Sequence, residues 1–181
     1  MQTYIAILRG INVSGHRPVN MKALKALLES EGFTDVTTYI QSGNLVFRHA
    51  TTAEDMLVAH LEGIIQHKFG FEVPVIVRTA TDWKRAAYHN PFLKEKGIDT
   101  DKLHITFLAA EPSPENLGKT NTYNYEPDRF IVHGREVYIY APGGYGNTKL
   151  NNTFFESKLK VSATTRNLKT VNKLLELIDF L

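Results

Sequence analysis

Four polar segments carry the side chains best suited to chemistry: Arg9-Gly10-Ile11-Asn12-Val13-Ser14-Gly15, Gln41-Ser42-Gly43-Asn44, the stretch from Gly143 to Asn152, and Thr164-Thr165-Arg166-Asn167. They are rich in amide, hydroxyl and cationic groups and nearly devoid of carboxylates, Glu156 being the one nearby. Such a donor set suits an anionic group. The candidate ligand contacts are Arg9, Asn12, Gln41, Asn44, Lys149 and Arg166, with the cations fixing the anion and the amides orienting the rest. Arg166 leads the set, because a planar guanidinium grips an oxyanion bidentately. A cation ahead of a helix N-terminus is also mildly unfavourable unless a carboxylate or an anionic ligand balances it.

Each segment has a plain structural reading beside the functional one. The first follows a strand and precedes a helix, the setting in which backbone N–H groups converge on a phosphate. It lacks both G-x-G-x-x-G and G-x-x-x-x-G-K-[ST], so it equally suits a loop that stabilises the start of the helix. Gln41 to Asn44 forms a hairpin turn with Gly43 free to take positive φ, yet two amides exceed what a turn requires. Between Gly143 and Asn152, glycines allow close approach of a ligand, and Tyr145 is either a lid or a surface plug. Its Gly-Asn-Thr-Lys run departs from a P-loop in spacing and residues. Thr164 or Thr165 is a natural N-cap for the last helix.

Other chemistries find no support. The chain has no cysteine, which removes disulfides, thiolate nucleophiles and cysteine metal sites. No G-x-S-x-G elbow or H-E-x-x-H pattern occurs. His60 and His67 stand two turns apart on a helix, roughly 10 Å, too far to share a metal. A metal-dependent nuclease or kinase would need carboxylates converging on the site. No catalytic residue, metal ligand or cofactor is therefore assigned.

Charge leaves a second function class open. From Gly143 to Lys173, six cations face one carboxylate, a net +5 that leaves −3 for the rest of a chain whose total is +2. A basic surface of this kind attracts polyanions, although a solvated helical face carries the same charge. Tyr138 and Tyr140 alternate with Val137 and Ile139, as stacking residues do on RNA-binding sheets, but the strand does not match the RNP1 pattern. The readings are thus a small-anion site at loops between the two halves, a nucleic-acid-binding module, or an interaction module without chemistry. No run of eighteen apolar residues occurs, so no membrane helix is expected. Met1-Gln2-Thr3-Tyr4-Ile5 enters a strand pattern without a basic leader, and the expected location is the cytoplasm.

The elements that must position these segments follow from periodicity. Tyr4 to Leu8 is a short apolar run, hence a buried strand. Asn20 is a candidate N-cap for a helix carrying Met21, Leu24, Leu27 and Leu28. Strands Val36 to Ile40 and Leu45 to Phe47 flank the Gln41 turn. Thr51-x-x-Glu54 predicts a capping box ahead of Leu57, Leu61, Ile64 and Ile65, and Val73 to Val77 predicts a further strand. This is the β-α-β-β-α-β order of a ferredoxin-like unit. The second half repeats it with a strand at 103–107, a short helix within 111–121, a hairpin turning at Gly134-Arg135, a second capping box at Thr153-x-x-Glu156, and a last helix through Ile178. The fold class expected is α+β, two ferredoxin-like halves packed together, at 1–79 and 80–181, the second with an additional C-terminal helix.

The run Tyr4-Ile5-Ala6-Ile7-Leu8-Arg9-Gly10-Ile11-Asn12-Val13, then Tyr39-Ile40-Gln41-Ser42-Gly43-Asn44, then Thr164-Thr165-Arg166-Asn167 resembles the bacterial domain-of-unknown-function family 1697. The resemblance implies a two-part α+β fold with ferredoxin-like halves and implies no activity. Two positions depart from the family pattern: Ser14 stands where glycine is usual, and Leu168 where tryptophan is usual.

Overall fold

The computed structural model describes residues 1–51 and 53–180. The chain comprises two compact units: Met1–Arg85 together with the residues from Lys173 onward, and Ala86–Asn172. In the first, the elements are β1 (Gln2–Leu8), α1 (Met21–Ser30), β2 (Thr34–Tyr39), β3 (Asn44–His49), α2 (Glu54–Phe69) and β4 (Val75–Thr79), followed by α3 (Ala80–Tyr88), whose last residues belong to the second unit. In the second they are β5 (Leu103–Leu108), α4 (Pro114–Thr120), β6 (Arg129–His133), β7 (Glu136–Tyr140), α5 (Asn152–Leu159) and β8 (Ala163–Asn167); α6 (Leu168–Asp179) begins in the second unit and belongs to the first from Lys173 onward. The sequence division at 79/80 marks the junction of β4 and α3.

Each unit holds a four-stranded antiparallel sheet, ordered β2-β3-β1-β4 and β6-β7-β5-β8. Both are the ferredoxin-like arrangement, so the expected α+β class with two ferredoxin-like halves is the observed one. The first core forms where Tyr4, Ala6 and Leu8 of β1 meet Leu24 and Leu28 of α1 and Leu61 of α2. Fully burying a side chain such as Leu24 contributes about 1.5–3 kcal/mol. In the second unit, Leu108, Ile139, Leu150, Phe155 and Ala163 form the corresponding cluster.

The duplication extends to individual bonds. Leu8 N–H donates to Gly43 O at 2.8 Å, and Leu108 N–H to Arg135 O at 2.8 Å. Arg9 N–H reaches Pro74 O at 3.0 Å, and Ala109 N–H reaches Ser162 O at 2.9 Å. Glu62 on α2 accepts from Val75 N–H at 2.9 Å, as Glu156 on α5 accepts from Ala163 N–H at 3.0 Å. Arg78 pairs with Ile5 across the sheet, as Arg166 pairs with Ile105.

Three local expectations are corrected. Thr51 does not cap α2: Ala53 occupies the cap position, while the Thr51 carbonyl accepts from Tyr4 Oη at 2.7 Å and Glu54 accepts from Thr79 N–H at 3.3 Å. Thr153 does not cap α5 either, because Asn151 takes that role by accepting from Phe154 N–H at 2.9 Å. Thr164 to Asn167 is not a loop but strand β8, and Asn167 rather than a threonine accepts from Thr170 N–H at 2.8 Å at the start of α6. In each case a nearby asparagine or a tertiary donor outcompeted the local threonine pattern.

Candidate functional site

The four candidate residues of the first unit gather at one end of its sheet. Beyond Leu8 the chain folds into a small loop hairpin: His16 N–H donates to Val13 O at 2.8 Å, and Ser14 and Gly15 at the tip have φ of 49° and 77°. Positive φ at both central residues is the signature of a type I′ turn. Ser14 adopts this backbone although it is not a glycine. Asn12 (φ 54°) and Arg17 (φ 45°) flank the turn, and Gly10 has φ 69°. Left-handed backbone at three residues that are not glycine costs free energy, so tertiary contacts must hold it.

Asn12 supplies those contacts. Its Nδ2 donates to Val19 O at 3.0 Å and to Gln41 O at 2.8 Å, and its Oδ1 accepts from Val19 N–H at 2.8 Å. One amide thus closes the loop and ties it to the β2–β3 turn. In that turn Ile40 has φ 50°, an outlier for a β-branched residue. Asn44 is buried and donates to Tyr39 O and Ser42 Oγ, both at 3.0 Å, which fixes the turn from within. Gly43 is required twice over: its φ is 84°, and a Cβ there would lie 2.7 Å from Leu8 Cβ and 2.8 Å from Ile11 Cδ1. Gln41 is exposed, with Oε1 3.5 Å from Asn12 Nδ2. Arg9 is half-buried at the base of the loop. The Arg17 guanidinium folds over Gly10, where a Cβ would stand 3.4 Å from its Nη1. Val13 and Ile40 present exposed aliphatic side chains, at 56% and 50%.

Lys149 and Arg166 belong to the second unit. Arg166 is half-buried in β8, and its Nη1 donates to Thr165 O at 2.9 Å. Burial pushes its pKa down to about 10, against a smaller opposing pull from Tyr145. The antiparallel alternation points the Thr165 carbonyl away from β5, so the guanidinium lies on the outward side of this edge strand. Arg78 repeats the device, donating to Val77 O at 3.0 Å on edge strand β4. Sequence reasoning missed Arg78; the signal was there in the shared Arg-X step, Val-Arg-Thr before α3 and Thr-Arg-Asn before α6.

Lys149 is exposed and lies with its Nζ 5.5 Å from the Tyr125 ring centroid. It lines a groove of ≈ 540 Å³ together with Asn124, Glu126, Asp128 and Asn147. Within 143–152, Gly144 has φ 94° and Asn147 Nδ2 donates to Gly143 O at 2.9 Å. Tyr145 is no exposed plug: its ring stacks on His104, with centroids 4.5 Å apart and planes at 21°. Burial depresses the His104 pKa, opposed by the Lys102 carbonyl. Tyr138 and Tyr140 share a sheet face, but Tyr138 is 2% exposed and Tyr140 packs on Phe92 with the Arg129 guanidinium 5.3 Å from its ring. Neither offers a bare ring for base stacking.

Among the described residues, no group of three or more His, Cys, Asp or Glu side chains is placed to hold a metal ion. No helix among them is long and apolar enough to cross a membrane.

A family model described as "protein of unknown function (DUF1697)" matches residues 1–138. A solved structure of a conserved bacterial protein from Streptococcus pneumoniae is similar, with a TM-score of 0.74 and 20% identity over 97% of this chain and 98% of its own. At that identity the likeness carries the fold alone. No curated protein matches the sequence.

Proposed function

The chain belongs to the DUF1697 family of proteins of unknown function, and we propose that it binds a small anionic ligand, bearing a phosphate or carboxylate, at the left-handed loop of its first unit. The observation that carries this reading is the cluster of positive-φ residues Gly10, Asn12, Ser14, Gly15 and Arg17, held in place by the amide of Asn12. Two N–H groups close the loop on itself, Asn12 donating to Arg17 O at 3.1 Å and His16 to Val13 O at 2.8 Å, and this reading assigns the remaining loop N–H groups to the anion. Strain of order 1–3 kcal/mol per residue concentrates where a ligand is clamped. Arg9 and Arg17 supply positive charge, and neither 9–20 nor 40–43 contains a carboxylate. In this reading Gln41 orients the bound group, while Asn12 and Asn44 position the loop and the turn.

The second unit adds a weaker candidate. The desolvated guanidinium of Arg166 would gain from an anion beside it, whereas Lys149 shares its groove with Glu126 and Asp128, which repel one.

Thermal unfolding at constant ionic strength, with inorganic phosphate or malonate added, tests the proposal. Saturable stabilisation is expected, reaching about 2.7 kcal/mol at a hundredfold excess over Kd. Arg17→Ala should weaken binding about tenfold, or about 1.4 kcal/mol. The reading is overturned if neither anion gives a saturable response, or if Arg17→Ala leaves it unchanged. If instead a short oligonucleotide binds, with affinity falling steeply as salt rises, the nucleic-acid reading takes its place.

A further inference from the structure

Each sheet has two edges, and an open edge is a row of unpaired N–H and C=O groups that invites another strand. Three of the four edges are blunted. On β2 the register shifts between Thr34 and Thr37, and Asp35 has φ 53°, a bulge that bends the strand away from flat pairing. On β4 and β8 the guanidinium groups of Arg78 and Arg166 lie on the outward carbonyls of Val77 and Thr165.

The fourth edge, β6, has neither device. Its register against β7 runs without a shift from His133↔Glu136 to Arg129↔Tyr140. The two-residue turn makes His133 and Glu136 a bonded pair, so alternation directs the N–H and C=O of Phe130 and Val132 outward. Ile131 between them is 42% exposed. Arg129, which would otherwise guard the edge, is drawn onto the sheet face by a two-point ion pair with Glu95, at 3.1 and 2.7 Å, and lies 5.1 Å from the Phe92 ring centroid.

A groove of ≈ 450 Å³ follows this edge: it is lined by four consecutive β6 residues, Arg129 to Val132, whose side chains alternate between faces. Only a groove along the edge can touch all four. Its other walls include Tyr123 and Tyr125, and its charged lining is Glu95, Glu126 and Asp128 against the single cation Arg129. The excess of carboxylates favours a cation. Lys158 and Lys149 already occupy the faces of Tyr123 and Tyr125, 4.7 and 5.5 Å from the ring centroids, so the carboxylates and not the rings carry this preference.

We propose that β6 is a docking edge for an extended peptide segment of a partner protein, which adds as a fifth strand and places a lysine or arginine side chain in the groove between the tyrosines and Glu126 and Asp128. Main-chain bonds to Phe130 and Val132 provide affinity, and the groove provides selectivity.

The test uses the full chain and the peptide Gly-Val-Lys-Val-Lys-Val-amide carrying fluorescein on its N-terminal amine, followed by anisotropy. Saturable binding is expected, weakened at least about tenfold when alternate peptide amides are N-methylated, when glutamate replaces both lysines, or in the Glu126→Gln/Asp128→Asn double variant. These changes leave the protein's buried residues untouched, and circular dichroism verifies the fold of the variant. Absence of saturable binding, or equal binding by the N-methylated peptide, overturns strand addition. Equal binding by the glutamate peptide overturns the charge assignment. A concentration-dependent dimer in sedimentation that Ile131→Lys dissociates would make the occupant a second copy of this chain and overturn the peptide proposal.

Discussion

The two units share strand order and individual backbone bonds, yet they lengthen different connections. In the first, the β1–α1 connection occupies 9–20, against 109–113 for its counterpart in the second. In the second, the β7–α5 connection occupies 141–151, against 50–53 in the first. By register, the first lengthened loop stands at the sheet end where β1 finishes, and the second at the end where β5 begins. The same scaffold therefore carries its elaboration at opposite ends. Loops that the sheet does not need are where binding residues accumulate, and here the strained backbone falls in the lengthened loop of the first unit.

The sharpest contrast is at one repeated bond. Gly43 and Arg135 offer equivalent carbonyls to Leu8 and Leu108, and in the first unit an apolar loop residue, Ile11, is folded against that turn. Gly43→Ala should destabilise the protein by about 3 kcal/mol, combining overpacking with left-handed strain. Arg135→Ala should cost less than about 1 kcal/mol. Equilibrium urea unfolding measures both. Equal losses would mean that the turn itself, and not the loop folded on it, sets the requirement.

Next in size is the contrast between two loop amides. Asn12→Ala removes bonds that link the loop to Val19 and Gln41 and leaves alanine in left-handed backbone, a loss of about 2 kcal/mol. Asn147→Ala removes one exposed bond to Gly143 and should cost under about 1 kcal/mol. Asn12→Ala should also abolish phosphate stabilisation. If Asn12→Ala unfolds no more easily than Asn147→Ala, the first loop is not held by its asparagine.

The scaffold was legible because its apolar positions follow strand and helix periods that both cores use: Tyr4, Ala6 and Leu8 alternate, and Leu24 and Leu28 are one turn apart. Strand β8 was not, because Ala163 is its only apolar residue. Pairing with β5 decides its conformation, and nothing local announces it. Glu54 and Glu156 matched a helix-start pattern yet serve the backbone of neighbouring strands, a tertiary role invisible to local spacing. The convergence of Asn12 with Gln41 could be suspected from two amide-bearing loops at strand ends. That Asn12 would tie the loop to the turn depends on the Gln41 carbonyl, 29 residues away, whereas Asn44 turns inward onto Tyr39 and Ser42 of its own turn.

The smallest expected effect is a slope with pH, and it again sets one unit against the other. His49 in the first unit is held below its ordinary pKa of 6.5 by burial and, secondarily, by nearby His60. Its Nδ1 accepts from Thr51 N–H at 3.0 Å, a bond available only to an imidazole unprotonated at that nitrogen. His104 in the second unit is held below 6.5 by burial. For both, the unfolded chain takes up a proton at a pH where the folded chain does not. Stability is therefore full above the unfolded pKa and declines as pH falls from 6.5 toward the lowered folded value, with no further loss below it. His104→Phe keeps an aromatic ring against Tyr145 but cannot titrate, so it should flatten the decline in melting temperature between about pH 7.5 and pH 5.5. His49→Asn retains an acceptor for Thr51 and should flatten it less, because His104 is the more deeply buried of the two rings. A larger flattening from His49→Asn would show that the β3 end of the first unit, and not the His104–Tyr145 stack of the second, is the more costly place to introduce a charge.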